Sequence, residues 1–194
     1  VTLKNNRAKD NGESDIFGPP ALASARDICV GVAELVAKLS LPPAIFVGNS
    51  VGGSACLHLA IDHPARVKAL VLVSTSGLVE VSPVVRAFCW LQGRQFVRRH
   101  LGMAFARRYL VRRTAEAAAL LARMNERRKD PAFIAMEAAL WSSFGREESH
   151  FGERVSAVRC PTMLLWGRYD PVLRMRVEGK RARALLPHAA WREL

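Results

Sequence analysis

Residues 48–53 read Gly-Asn-Ser-Val-Gly-Gly, "GNSVGG", directly after the apolar run "PAIFV" of Pro43–Val47. A plain loop does not need Gly48, Gly52 and Gly53 together. A serine hydroxyl is a poor nucleophile until a base takes its proton, and it has to be exposed while the strand residues beside it are buried. A sharp strand-to-helix turn solves the exposure problem. It holds the serine in strained backbone at a cost of about 1–3 kcal/mol. It also brings the residues two before and two after Ser50 into contact, so Gly48 and Gly52 are expected to be small, with Gly53 letting the helix pack close to a strand. Such a turn aims the first N–H groups of the helix at the site, where Val51 N–H can donate to a developing oxyanion.

The flanking sequence supplies the strand and the helix. Ile28, Val32, Leu35, Val36 and Leu39 recur at helical spacing, which predicts an amphipathic helix over Ala21–Leu41, ended by Pro42-Pro43. Ala44–Val47 is a continuous apolar run, expected to be a strand covered on both faces. Val51–His63 reads as a helix stopped by Pro64, and Val67–Thr75 as a second buried strand. Helix, strand, helix, strand in this order predicts an α/β fold, a mostly parallel sheet with crossover helices. From Ser82 to His150 the strand-like runs disappear. Val97, Leu101 and Phe105 fall four apart with Arg98, Arg99, Arg107 and Arg108 around them, the pattern of helices with one apolar and one solvated face. Thr162–Gly167 restores the strand style, Arg174–Leu186 reads as a basic helix broken by Pro187, and Ala189–Leu194 starts one more strand. No internal repeat or low-complexity linker is visible.

"VGNSVGG", placed between a strand and a helix, resembles the nucleophile elbow of the α/β-hydrolase superfamily. "CPTMLLWGRYDPVL" (Cys160–Leu173) resembles the family's late strand and the loop that carries its triad acid, which makes Asp170 the acid. The resemblance implies a partial α/β-hydrolase fold. Residues 1–81 and 151–194 are then the two parts of the core, and 82–150 an inserted α-helical cap or lid. It implies a Ser-Asp-His hydrolase, with Ser50 as nucleophile, Asp170 orienting an imidazole, Val51 N–H in the oxyanion hole, and Gly48, Asn49, Gly52 and Gly53 forming the elbow. A carboxylate at the C-terminal edge of a parallel strand can point to the same rim as Ser50, where it holds the tautomer and stabilises the imidazolium. A turn-forming Asp before Pro171 is the alternative for Asp170.

Two parts of that pattern have no counterpart. In the family order Ser, acid, His, the histidine follows the next strand, so the chain is expected to stop before its base. His188 precedes the last strand, at the wrong end of the sheet. His58 lies about 12 Å from Ser50 at 1.5 Å per residue, and His63 ends the same helix. His100 and His150 belong to the insertion, and solvent-exposed or packing roles are expected for all five. No early loop supplies a second oxyanion donor; "GESDIFGPP" (Gly12–Pro20) resembles only the segment that follows one. The chain is therefore expected to be a fragment of weak or no activity, its parent a hydrolase of esters or related acyl substrates. Asn49, the glycine pair and "WGR" (Trp166–Arg168) resemble C–C bond hydrolases of ring-fission products, whose substrates are carboxylates. A non-catalytic binding module and a cofactor-free haloperoxidase remain as alternatives.

Composition narrows the classes further. Half of the 194 residues are apolar and the net charge is +12, of which residues 81–150 supply +7. No nucleic-acid motif accompanies that charge, so a solvated Arg-rich surface is expected rather than nucleic-acid binding. The predicted partner is a small-molecule substrate, anionic or hydrophobic, and the oligomeric state is left open. Cys29, Cys56, Cys89 and Cys160 have no metal-ligand spacing, which predicts free thiols and no metal. No cofactor is expected, because a triad supplies nucleophile, base and electrostatics by itself. No apolar run is long enough for a membrane span and no export signal is visible, so a cytoplasmic location is the default expectation.

Overall fold

The computed structural model describes residues 24–110 and 112–194. Helix α1 (Ala25–Lys38) starts at a capping box: Ser24 Oγ accepts from Asp27 N and the Asp27 carboxylate accepts from Ser24 N. That box sets the start after Ser24, later than the apolar spacing alone predicts. The helix also ends before Pro42, at a left-handed turn through Ser40 (φ 47°).

Strand β1 (Ala44–Ser50) runs straight into α2 (Val51–Asp62), and β2 (Val67–Thr75) follows. Four helices then intervene: α3 (Pro83–Gln92), α4 (Gln95–Tyr109), α5 (Ala115–Arg127) and α6 (Pro131–Ser143). Strand β3 (Thr162–Trp166), α7 (Lys180–Leu185) and β4 (Ala190–Glu193) complete the order. The sheet has the order β1-β2-β3-β4 and every neighbouring pair is parallel. A parallel pair cannot be joined by a tight hairpin, which is why a helix or the helical insertion sits in each connection. All four C-terminal strand ends share one edge, where parallel α/β sheets place their ligands.

One face of the sheet is well covered. Leu57 and Leu59 of α2, Leu70 and Leu72 of β2, Leu164 and Trp166 of β3, and Val155 and Val158 before it are fully buried together, with Phe46 packed against them. The other face corrects the expectation of a strand covered on both sides. Ile45 and Val47 alternate with Phe46 and are 63% and 68% exposed. Val71 and Val73 on β2, Met163 on β3 and Leu165 beside it share that parity and are only partly covered. The run Ala44–Val47 has the composition of a two-faced buried strand, but one face is bare among the described residues.

In the insertion, α3, α5 and α6 start at Ser82, Thr114 and Asp130, whose side chains accept from Val85 N, Ala117 N and Ala132 N. Trp141 of α6 is the hub of its apolar centre, edge-on to Phe88 (5.8 Å), Phe105 (5.2 Å) and Phe144 (5.7 Å). The inward stripe of α4 differs from the predicted one. It is Arg98, Gly102 and Ala106, whereas Leu101 is exposed. The helix is turned so that Gly102 faces the Arg128 guanidinium, whose Nη1 would lie 2.6 Å from an added Cβ. The basic segment after β3 also differs. It opens with a π-helical turn, Met175–Gly179, before α7, and this turn carries Glu178 into the interior.

Candidate functional site

Ser50 is the last residue of β1 and the residue before α2, with φ 50° and ψ −119°. That conformation is strained for a residue with a Cβ, and the neighbours fix it. Ser76 N donates to Ser50 O at 3.2 Å. Ser54 Oγ lies 2.9 Å from Ser76 O and 2.7 Å from Ser76 Oγ, tying the first turn of α2 to the loop after β2. Asn49 Nδ2 donates to Val73 O at 3.0 Å across the strand pair.

The glycines divide differently from the expectation. A Cβ on Gly48 would lie 2.4 Å from Gly52 O and 2.6 Å from Gly53 N. One on Gly53 would lie 2.2 Å from Thr75 Oγ1. One on Gly52 would meet nothing within 4 Å. Close approach thus requires glycine at 48 and 53, and the steric demand predicted for Gly52 is absent. Residue 52 contributes its backbone to the contact, and its own side-chain direction points away from it.

Among the described residues no side chain caps α2, so the N–H groups of its first turn, Val51 N–H foremost, are left for an acceptor at the N-terminus. Asp170 follows β3 at the same sheet edge. Its Oδ1 accepts from Val172 N and Leu173 N, both at 2.9 Å. That is the turn geometry anticipated as the alternative, and it leaves Oδ2 without an acceptor role among the described residues. The Asp170 charge reaches into the site, since it adds to the burial that raises both the Tyr109 phenol and the Glu178 carboxyl.

A cavity of about 430 Å³ opens at this edge between the core and the insertion. Asn49, Ser50 and Thr75 line its floor and Phe88, Phe105 and Trp141 its apolar roof. Polar residues the sequence did not single out for the site also line it, among them Arg98, Glu137, His150 and Glu178. His150 Nε2 is buried without a hydrogen-bond partner among the described residues. The other histidines stay away from the cavity. His58 Nδ1 pairs with Asp62 at 3.0 Å, His100 lies tilted against Phe96, and His188 precedes β4 at the opposite sheet edge. Among the described residues no imidazole bonds Asp170. The stretch Gly12–Pro20 lies outside the described residues.

Glu178 gives the site a pH signature. Its Oε2 is buried and has no partner among the described residues, and burial raises its carboxyl above the ordinary value, against the lowering by backbone hydrogen bonds and Arg174. A carboxyl raised by folding contributes stability at pH below its unfolded value of about 4.3, and this is lost as pH rises through the folded value. Glu178→Gln is therefore expected to stabilise the chain at neutral pH by about 1 kcal/mol, with the gain vanishing toward pH about 4. Urea denaturation at the two pH values measures it; a gain independent of pH contradicts this account.

The four cysteines are free, three of them buried. Burial pushes the Cys29 thiol up to about 12 and those of Cys56 and Cys89 to about 11, so none of these three is a nucleophile at neutral pH.

A family model of the alpha/beta hydrolase fold matches residues 17–194, almost the whole chain. The chain belongs to the alpha/beta hydrolase fold family. Among curated relatives, the 2-hydroxymuconate semialdehyde hydrolase of Pseudomonas sp. (strain CF600) is 46% identical over 52 residues, 27% of this chain and 17% of that protein. Among solved structures, a thermophilic esterase from Thermogutta terrifontis superposes with a TM-score of 0.68 at 20% identity, over 94% of this chain and 67% of its own. An enol-lactonase from Burkholderia xenovorans gives 0.67 at 21% identity, over 94% and 68%. At these identities the structures establish the shared fold alone. The match to the curated relative spans less than a fifth of that hydrolase, and the chain spans about two thirds of the solved ones.

Proposed function

We propose that this alpha/beta hydrolase is a serine hydrolase of acyl substrates, with Ser50 as nucleophile and residues 82–150 as the cap over its site. The observation that carries the reading is the strained Ser50 lining the cavity, ahead of a helix N-terminus that no side chain caps among the described residues. In this reading Ser50 Oγ attacks the substrate carbonyl as its proton passes to an imidazole oriented by Asp170. Val51 N–H holds the oxyanion. Collapse expels the leaving group, which takes the proton back, and water then releases the acyl group from Ser50 by the same path. No residue is assigned as that imidazole, because none bonds Asp170 among the described residues.

A second reading, hydrolysis of a C–C bond in a ring-fission product, is favoured by the 46% identity to the 2-hydroxymuconate semialdehyde hydrolase. Turnover of p-nitrophenyl esters compared with that of a vinylogous diketo acid separates the two. The nucleophile itself is tested with a fluorophosphonate. Mass spectrometry of the whole protein is expected to find the adduct on Ser50 and to lose it in Ser50→Ala. An adduct on another residue, or one unchanged in Ser50→Ala, overturns the reading and leaves a binding module of the same fold.

A further inference from the structure

The outer side of the helical insertion carries an apolar face that nothing covers among the described residues. On α3 the inward residue is Cys89. Val84, Ala87 and Leu91 recur at three and four residues on the opposite side of the helix, and all three are exposed. Trp90 is 58% exposed, and Phe96 at the start of α4 is 73% exposed. A helix that is apolar on every side is ordinarily buried on every side. These residues meet at the corner between α3 and α4. Arg94 N donates to Leu91 O at 3.1 Å, and the Arg94 guanidinium carbon lies 3.9 Å from the Trp90 ring centre.

The same stretch is strongly cationic. Residues 81–115 hold eight arginines and neither an aspartate nor a glutamate. Arg98 is buried and the other seven are exposed. On α4, Phe96, His100, Met103 and Arg107 follow one another at four, three and four residues, opposite the inward stripe of Arg98, Gly102 and Ala106. Glu147 and Glu148, beside α3, are each approached by an arginine, Arg86 at 3.6 Å and Arg146 at 3.5 Å, so they add no net negative charge there.

Apolar surface and excess positive charge together select the partner. A second copy of the chain would set this acid-free face against itself across a two-fold axis, where the arginines repel. A nucleic acid would pair with the arginines but leave Val84, Leu91 and Phe96 without an apolar environment. A bilayer with anionic headgroups supplies both, an acyl boundary for the apolar side chains and phosphates for the cations. Trp90 with Arg94 stacked on it has the amphipathic form that settles at headgroup depth.

We propose that the α3–α4 surface docks on an anionic phospholipid bilayer, with Leu91 and Phe96 entering the acyl boundary and Arg94 and Arg99 meeting the headgroup phosphates. The contact is peripheral, since α3 has 10 residues and a membrane span needs about 20. Helix α3 also lines the cavity through Val85, Phe88 and Cys89, so docking holds the cavity close to the membrane surface. The docking does not depend on the chemistry at Ser50.

Sedimentation of the whole protein with sucrose-loaded vesicles tests this. Vesicles of phosphatidylcholine alone are compared with phosphatidylcholine carrying about 30% phosphatidylglycerol. The wild type is expected to partition onto the anionic vesicles about 10-fold or more better than onto the neutral ones, and added salt is expected to weaken that preference. Leu91→Ser with Phe96→Ser is expected to lower partition onto the anionic vesicles about 10-fold. Arg94→Gln with Arg99→Gln is expected to lower it about 10-fold or more, at about fivefold per arginine. Arg159→Gln with Arg192→Gln removes two exposed arginines of the core. It is the control for net charge and is expected to change partition by less than about 2-fold. Should the apolar double variant not fold, the arginine pair and the control decide. No preference for the anionic vesicles, an equal loss in the control, or self-association or DNA binding in place of vesicle binding overturns the docking.

Discussion

Gly48→Ala is expected to destabilise the chain by about 1–3 kcal/mol and to abolish fluorophosphonate labelling of Ser50 in the whole protein. The added methyl would sit 2.4 Å from Gly52 O, 2.5 Å from Gly52 C and 2.6 Å from Gly53 N. These are backbone atoms of the first turn of α2, so no side-chain rotation relieves the clash. Relief requires the helix to move away from β1, and that movement releases the φ of 50° at Ser50 and the contacts of Ser54 with Ser76. Gly53→Ala is expected to behave similarly against β2, since Oγ1, Cγ2 and Cβ of Thr75 all lie within 3 Å of the added atom. Gly52→Ala is the control. Nothing lies within 4 Å of its Cβ, and on a helix turn the change is expected to be neutral or stabilising by up to about 1 kcal/mol. Urea denaturation of the three variants measures the contrast. Equal losses at residues 48 and 52 contradict the described turn.

The second large effect is expected at Glu137. Glu137→Leu removes the carboxylate that pairs with Arg128 at 2.5 Å and whose charge acts on Arg98, and leaves both cations shielded from water. Breaking a buried pair from one side costs about 3–5 kcal/mol. The exposed pair of Arg154 with Asp62, at 2.7 Å, has a similar distance but high solvent screening, and Arg154→Ala is expected to cost about 0–1 kcal/mol. Chemical denaturation of the two variants compares them. Arg128→Met combined with Glu137→Leu is expected to cost less than the two single losses added, because each single change strands a charge that the double change removes. A loss at Glu137 no larger than that at Arg154 contradicts the buried cluster.

Much of the core was legible from residue order. The strand at Val67–Thr75 and the helix starting at Val51 match the structure residue for residue at those ends, because Pro64 and the glycines punctuate them locally. The placement of Ser50 and Asp170 at one sheet edge was legible too, since it follows from parallel strands once the helices between them are recognised. The insertion was legible only as helical. Its apolar spacing pointed to Val97, Leu101 and Phe105, but the inward stripe was decided by packing. Gly102 admits the close approach of Arg128, and Arg98 and Ala106 lie on the same inward stripe. No pattern of hydrophobicity marks a buried arginine, so Arg98, Glu137 and Glu178 could not be found that way. Glu178 had a further obstacle, because the π-helical turn shifts it off the α-helical face that spacing assumes.

By itself the sequence determined the parallel α/β core, the elbow with Ser50 at its apex and the position of Asp170 after a later strand. These depend on local backbone demands and on chain order, which residues near one another in sequence can specify. Only the tertiary structure decided which glycines are sterically required, which face of β1 is covered, and which charges line the cavity. Those outcomes depend on atoms brought together from distant segments, where the direction of a Cβ and the water it displaces outweigh composition.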